Sequence, residues 1–122
     1  MIRAISWLGV RTDRFEAMAH FYEEVMGIEP SVSRPDFLLF DLPNGDRIEL
    51  FGPDGENQHF TDAPVVGFEV DDLDAARSEL EARGVNFVHV GRDEGAGIGW
   101  AHFRGPDGNL YEVTGPVSTP DR

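Results

Sequence analysis

Apolar and polar positions alternate along this chain in two successive series that have the same order of elements. The first series predicts a strand over Ile2–Val10 and then a helix that Asp13 and Glu16 cap and Gly27 ends. The apolar face of that helix comprises Phe15, Met18, Ala19, Tyr22 and Met26. Three further strands are predicted over Ile28–Ser33, Phe37–Asp41 and Arg47–Phe51.

The second series repeats this order from Val65 onward. A strand over Val65–Val70 precedes a helix that Asp71 or Asp72 caps and Gly84 ends. The inner face of this helix is predicted to comprise Leu73, Ala76 and Leu80, and the later strands are Val85–Val90, Trp100–Arg104 and Leu110–Thr114. The glycine-rich stretch 91–99 is predicted to be a loop, since it lacks the following helix of a phosphate-binding loop.

The two series also share a motif at their ends. Residues 43–53 read PNGDRIELFGP and residues 106–116 read PDGNLYEVTGP, so Glu49 and Glu112 are equivalent positions. The same repeat pairs Trp7 with Val65. Because one helix covers only one face of each unit's strands, we expect the open faces to enclose a cavity with both glutamates at matched positions. The units would pair within one chain or across a homodimer.

Length and charge restrict the domain organisation and the partners. We expect a single domain, residues 1–122, made of repeats 1–53 and 64–116, a linker 54–63 and a loose tail 117–122. The net charge of −13 disfavours nucleic acids and anionic membranes. The absence of cysteine excludes disulfides and thiol catalysis, and no apolar run is long enough to span a bilayer. A cytoplasmic location is therefore expected by default.

The paired units, the start WLGVRTDRFEAMAHFYEEVMGIEP and the ending FRGPDGNLYEV resemble the vicinal oxygen chelate superfamily of glyoxalases, bleomycin resistance proteins and extradiol dioxygenases. The resemblance implies an α+β fold in which tandem βαβββ units form a curved mixed sheet with helices on the outside. It also implies metal ligands on the first and last strands of each unit, which fall on Trp7, Val65, Glu49 and Glu112.

Two of those four residues cannot bind a metal, because an indole and an isopropyl group offer no suitable lone pair. Zinc sites normally use three or more protein ligands, so the pair Glu49 and Glu112 does not complete a standard site. We therefore assign no cofactor. A weak or substrate-assisted divalent metal on Glu49 and Glu112 stays open, since Mg²⁺ is often held by one or two carboxylates with water and substrate oxygens.

The turn sequence Gly-Pro-Asp-Gly predicts a three-residue hairpin loop with a bulge, which would place His102 opposite Glu112 and Trp100 on the same face. A two-residue turn would place Phe103 opposite Glu112 instead. We expect the carboxylate to favour the imidazolium form of His102, which makes His102 and Glu112 the candidate catalytic pair. The alternatives are a polar contact in a cavity wall, or pairing of either glutamate with Arg11, Arg47, Arg92 or Arg104. His89 receives no role.

These residues fit two functions. The first is a glyoxalase-like protein that binds a small organic molecule and lacks two of the usual four metal ligands. The second is a lyase, an isomerase or a dioxygenase-type enzyme that uses Glu49, Glu112 and His102 with a weakly bound metal. In both cases the predicted pocket residues are Trp7, Glu49, Val65, Trp100, His102 and Glu112.

Overall fold

A computed structural model describes residues 1–54 and 63–117. Most of the predicted linker and of the predicted tail lies outside the described residues. The chain divides into two compact units, the first holding Ser6–Val65 and the second holding Met1–Ile5 with Val66–Arg122. The predicted cavity between the repeats and the homodimer stay predictions.

Two successive sets of elements follow one another along the chain in the order strand, helix, strand, strand, strand. The first set is β1 (Ile2–Arg11), α1 (Phe15–His20) with a π-helical turn (Phe21–Val25), β2 (Val32–Arg34), β3 (Phe37–Asp41) and β4 (Arg47–Phe51). The second set is β5 (Val65–Val70), α2 (Leu73–Ala82), β6 (Phe87–Asp93), β7 (Ile98–Arg104) and β8 (Leu110–Pro116). The α+β class and the tandem βαβββ order are confirmed.

The first unit builds its core between the helix and one face of its strands. Strand β1 runs parallel to β4, while β4 pairs with β3 and β3 with β2 in antiparallel fashion. Tyr22 of the helical segment packs on Phe40, with ring centroids 5.4 Å apart. The other buried core residues of this unit are Val10, Leu38, Ile48 and Leu50. The alternate residues of β1 and β4 therefore lie on the opposite, helix-free face.

The start and the end of the first helix differ from the prediction. The residue before α1 is Arg14, whose backbone N–H bonds to the Thr12 hydroxyl, so the predicted cap at Asp13 is wrong. The helix ends in a π-helical turn, in which the backbone N–H of Met26 donates to the carbonyl of Phe21. The wider turn leaves the Met26 side chain 53% exposed, so its placement on the apolar face is also wrong.

The second strand is shorter than its apolar pattern indicates. It covers Val32–Arg34 rather than Ile28–Ser33. The backbone N–H of Ile28 donates to the Tyr22 carbonyl at 2.9 Å, so this residue completes the helix end instead. Pro30 has no N–H to contribute to a ladder. The chain therefore reaches the sheet only at Val32.

The second unit uses the same arrangement with a longer, capped helix. Strand β5 runs parallel to β8, and the pairs β8–β7 and β7–β6 are antiparallel. Asp72 caps α2, since its carboxylate accepts a hydrogen bond from the Ala75 backbone at 3.1 Å. The helix packs on Val70, Ala101 and Val113 through Leu73, Ala76 and Leu80. The helix face predicted from the sequence is confirmed.

The glycine-rich stretch 91–99 is only partly a loop. Strand β6 continues to Asp93 and β7 begins at Ile98, which leaves a tight turn closed by Gly97 at φ +69°. The prediction of a loop over the whole stretch is therefore wrong. None of the described helices is both long enough and apolar enough to cross a bilayer.

Candidate functional site

In the first unit, Trp7 and Glu49 contact each other on the helix-free face. The indole Nε1–H of Trp7 donates to Oε1 of Glu49 at 2.6 Å, and Trp7 is only 8% exposed. Gly9 lies opposite Glu49 in the parallel register. A Cβ atom on Gly9 would come within 2.1 Å of the Trp7 ring, so the indole reaches the glutamate by lying across the glycine. The glycine is required for this contact.

Arg11 lies two residues beyond Gly9 on the same face of β1. Its guanidinium donates to the Gly52 carbonyl at 2.6 Å and lies 5.5 Å from the centroid of the Phe51 ring. Burial lowers the pKa of Arg11 below its ordinary value. These contacts hold the Gly-Pro end of the first repeat motif against β1. The sequence offered Arg11 as a partner of either glutamate. The contacts described here are with a backbone carbonyl and an aromatic ring.

In the second unit, His102 and Glu112 form the corresponding polar contact. The two residues lie opposite each other in the β7–β8 register, and Nε2 of His102 is 3.1 Å from Oε1 of Glu112. His102 is 1% exposed and Glu112 is 5% exposed. Gly105 faces Asn109 across the turn, and Gly108 has φ +84°. The predicted hairpin with a bulge, and the pairing that it implies, are confirmed.

The charge state expected for His102 is wrong. Burial lowers the pKa of His102 from 6.5 to about 4, although Glu112 lies within hydrogen-bonding distance. The desolvation penalty of burying the imidazolium exceeds its favourable electrostatic interaction with the nearby carboxylate. His102 is thus a neutral imidazole at pH 7. A neutral imidazole has one nitrogen that donates a hydrogen bond and one that accepts one, so the contact with an ionised Glu112 requires the N–H on Nε2 and leaves Nδ1 as the acceptor.

Val65 occupies the position that the repeat relates to Trp7. It is the first residue of β5 and is 1% exposed. Two residues later, Gly67 lies opposite Glu112, just as Gly9 lies opposite Glu49. The backbone of the repeat is thus preserved around both glutamates, while the first-strand side chains are an indole donor and an apolar core residue.

These residues do not fit the four-ligand metal site that the family resemblance implies. Neither Trp7 nor Val65 offers a ligand atom. In its contact with Trp7, Oε1 of Glu49 meets an indole N–H donor rather than a metal ion's ligand. Within residues 1–54 and 63–117, no three His, Cys, Asp or Glu side chains are arranged to hold a metal ion. A zinc or octahedral site would need at least one more protein ligand.

Sequence reasoning missed His89, which lies beside the buried pair. His89 is opposite His102 in the β6–β7 register, and their rings stack with centroids 5.5 Å apart and planes 26° apart. The register shifts at a bulge between Phe87 and His89. That bulge turns the His89 side chain onto the face of His102, and the alternation of residues along the strand gave no signal of it.

Trp100 lies on the face predicted for it. It is two residues from His102 on β7 and faces Gly91 on β6. A Cβ atom on Gly91 would come within 2.4 Å of the indole, so the ring lies directly over the glycine. Trp7 and Glu49 thus lie in the first unit, Trp100, His102 and Glu112 lie in the second unit, and Val65 is the last residue of the first unit.

Comparison with known proteins adds the family context. The family model for the Glyoxalase/Bleomycin resistance protein/Dioxygenase superfamily matches residues 4–113. A search of curated protein sequences found no significant match. Solved structures of low sequence identity share the fold.

Three of these structures illustrate the likeness. A superfamily member from Vibrio splendidus 12B01 is 18% identical, with TM-score 0.67 and coverage of 94% of this chain and 99% of that chain. A variant of Streptomyces coelicolor methylmalonyl-CoA epimerase in complex with 2-nitronate-propionyl-CoA is 19% identical, with TM-score 0.69 and coverage of 98% and 100%. A Legionella pneumophila structure named as an NAD-dependent benzaldehyde dehydrogenase is 14% identical, with TM-score 0.66 and coverage of 90% and 97%. Likeness at this identity shows the fold alone.

Proposed function

Because this chain belongs to the Glyoxalase/Bleomycin resistance protein/Dioxygenase superfamily, we propose that it binds a small organic molecule without the four-ligand metal site of the superfamily's metalloenzymes. The observation that carries this proposal is the 2.6 Å hydrogen bond from the Trp7 indole to Glu49. It puts an N–H donor where a metal ligand would be needed, and it gives the glutamate a protein partner.

The second sequence repeat supports the same proposal. Val65 supplies only a buried apolar surface at the equivalent position, and Glu112 contacts a neutral His102. Buried carboxylates and imidazoles beside aromatic rings are typical of pockets that orient a small organic ligand by a few hydrogen bonds. The overall charge of −13 favours neutral or cationic ligands over polyanions.

The proposal is tested by the metal content of the protein. We expect protein purified without chelators, and then dialysed against metal-free buffer, to hold well under one equivalent of Zn, Ni, Mn, Fe or Co by mass spectrometry. The physical reason is that Glu49 and Glu112 supply too few ligands to retain a divalent ion. One equivalent of a retained ion would contradict the proposal.

A second candidate function is acid–base catalysis at His102 and Glu112. It is favoured by their 3.1 Å contact and by their burial, since proton transfer requires such proximity in a water-poor setting. The reaction classes are those of a lyase, an isomerase or a dioxygenase. A retained stoichiometric metal in the measurement above would favour this candidate over simple binding.

A further inference from the structure

Two arginines and two phenylalanines form a continuous row across the four strands of the first unit. Arg11 of β1 lies opposite Phe51 of β4, with its guanidinium 5.5 Å from the ring centroid. Phe51 in turn lies opposite Phe37 of β3, and their ring centroids are 5.2 Å apart. Phe37 lies opposite Arg34 of β2, whose guanidinium is 4.6 Å from the centroid of the Phe37 ring. Because directly opposite residues project to the same face, the whole row lies on the helix-free face.

The row changes from buried to exposed along its length. Arg11 and Phe51 are buried, Phe37 is partly exposed and Arg34 is exposed. A guanidinium that stacks on a ring uses its flat face, so its N–H donors stay available at its edge. Within residues 1–54 and 63–117, no carboxylate forms an ion pair with Arg34. The exposed end of the row is therefore a positive charge that is supported by an aromatic ring.

A tight turn holds this end of the row in place. Pro35 and Asp36 form the two-residue turn between Arg34 and Phe37, and Asp36 has φ +60°. Proline at the first corner and a positive φ at the second are typical of a type II turn. The Asp36 carbonyl also accepts a hydrogen bond from the backbone N–H of Gly52 at 2.8 Å. Since the hairpin is tied to the end of β4, its side chains need little ordering before a ligand binds.

Two apolar side chains continue the same face of the hairpin. Val32 lies two residues before Arg34 and opposite Leu39, which lies two residues after Phe37. Val32 is exposed and Leu39 is partly exposed. We call Val32, Arg34, Phe37 and Leu39 the Arg34 patch. It spans about 7 Å along the strands and about 5 Å between them, which is the size of one ring or a short alkyl chain.

The charges around the Arg34 patch differ between its two ends. Arg34 marks one end, whereas Leu39 at the other end lies opposite Glu49. Asp41 follows two residues later on the same face of β3. One negative group is attracted to the arginine end, but a second negative group at the apolar end would meet repulsion from two carboxylates. The net charge of −13 adds to that repulsion.

We infer that the Arg34 patch binds a small organic acid that carries one carboxylate on an apolar body. The carboxylate accepts paired hydrogen bonds from the Arg34 guanidinium, and the body lies on Val32, Phe37 and Leu39. The inference rests on the proposed small-molecule function and names the ligand class for the first unit. Arg34 is the residue that selects the single negative charge.

Three small probes separate these requirements. 4-Methylbenzoate has one carboxylate and an apolar body, 4-methylbenzamide has the same skeleton without charge, and terephthalate has a second carboxylate in place of the methyl group. Each probe is titrated into ¹⁵N-labelled full-length protein in slightly acidic buffer, and the Nε–H signal of Arg34, assigned with Arg34→Lys, is followed by NMR. We expect 4-methylbenzoate to shift this signal, with affinity at least about threefold higher than that of either other probe.

Variants locate the binding to the patch. Arg34→Gln is expected to weaken 4-methylbenzoate binding by about threefold to tenfold, because it removes a charge-assisted hydrogen-bond donor at an exposed site. Val32→Thr, which keeps the branched shape but exchanges a methyl group for a hydroxyl, is expected to weaken it by about twofold. Arg83→Gln is the matched control, since it removes the same charge from the end of α2, where Arg83 pairs with Glu79 at 2.6 Å. Its affinity for 4-methylbenzoate, read from the Arg34 signal, should equal that of the wild type.

The outcomes distinguish this inference from the proposed function. Equal binding of 4-methylbenzoate and 4-methylbenzamide, or an equal loss of affinity in Arg34→Gln and Arg83→Gln, would overturn the Arg34 patch as a carboxylate site. Probe binding that leaves the Arg34 signal unchanged would also overturn it, while leaving the proposed small-molecule function in place. The metal content decides the proposed function separately, whichever probe binds.

Discussion

Between pH 7 and about pH 4.5, the free energy of unfolding should fall by about 2 to 3 kcal/mol more in the wild type than in a His102→Gln variant. Burial lowers the pKa of His102 from 6.5 to about 4 in the folded protein. Below pH 6.5 the unfolded chain takes up a proton that the folded chain does not accept until about pH 4. The stabilisation from the neutral buried imidazole is therefore complete above pH 6.5 and is lost as the pH falls through this window.

The measurement is urea unfolding of both proteins at the two pH values. Depressed carboxyl pKa values, such as that of Asp41, also reduce stability in acid, but they act equally in wild type and variant. His20→Gln is the control, because His20 is exposed on the first helix. If His102→Gln and the wild type lose the same free energy on acidification, the neutral buried imidazole is not present.

The second large effect is expected at Gly115 in β8. A Cβ atom there would lie 2.3 Å from the backbone carbonyl oxygen of Val70, which cannot rotate away as a side chain can. We expect Gly115→Ala to lower the free energy of unfolding by about 3 kcal/mol, because β5 and β8 must separate to admit the methyl group. Urea unfolding at pH 7 gives this value directly.

Gly95→Ala is the matched control for Gly115→Ala. A Cβ atom at Gly95 meets only a side-chain oxygen of Asp93 at 3.5 Å, an ordinary contact. We expect its stability to stay within about 0.5 kcal/mol of the wild type. Equal unfolding midpoints for Gly115→Ala and Gly95→Ala would show that the close approach of β5 to β8 is absent.

Gly115 also explains part of the repeated motif. Its equivalent in the first unit is Gly52, where a Cβ atom would lie 2.5 Å from the Asp36 side chain. In both repeats the glycine three residues after the last glutamate avoids a close contact. The backbone of Val70 makes glycine necessary at position 115, whereas the Asp36 side chain at position 52 is able to move aside.

The pairing of His102 with Glu112 could be predicted because it depends on local turn chemistry. The sequence Gly-Pro-Asp-Gly specifies its own loop, and the loop fixes the register of the two strands that it joins. The caps and inner face of α2 were predictable for the same reason. Each of these features depends on residues within a few positions of one another.

The features that sequence reasoning missed depend on distant neighbours. The bulge before His89 alters which face the side chain takes, and nothing in residues 85–90 signals it. The π-helical turn after His20 likewise overrides a regular helical spacing. The lowered pKa of His102 follows from burial by several strands together, whereas the sequence showed only one carboxylate neighbour.

The proposed function depends on the hydrogen bond between Trp7 and Glu49 within the chain, at positions where the family resemblance places metal ligands. Its most direct test is to titrate Mn²⁺ into ¹⁵N-labelled protein and to follow the Trp7 indole N–H signal, with the Trp100 signal as internal reference. Paramagnetic Mn²⁺ bound at Glu49 would broaden the Trp7 signal, since the indole nitrogen is 2.6 Å from that carboxylate. We predict that both indole signals keep their metal-free intensity at one equivalent of Mn²⁺, and selective loss of the Trp7 signal at that ratio would contradict the proposal.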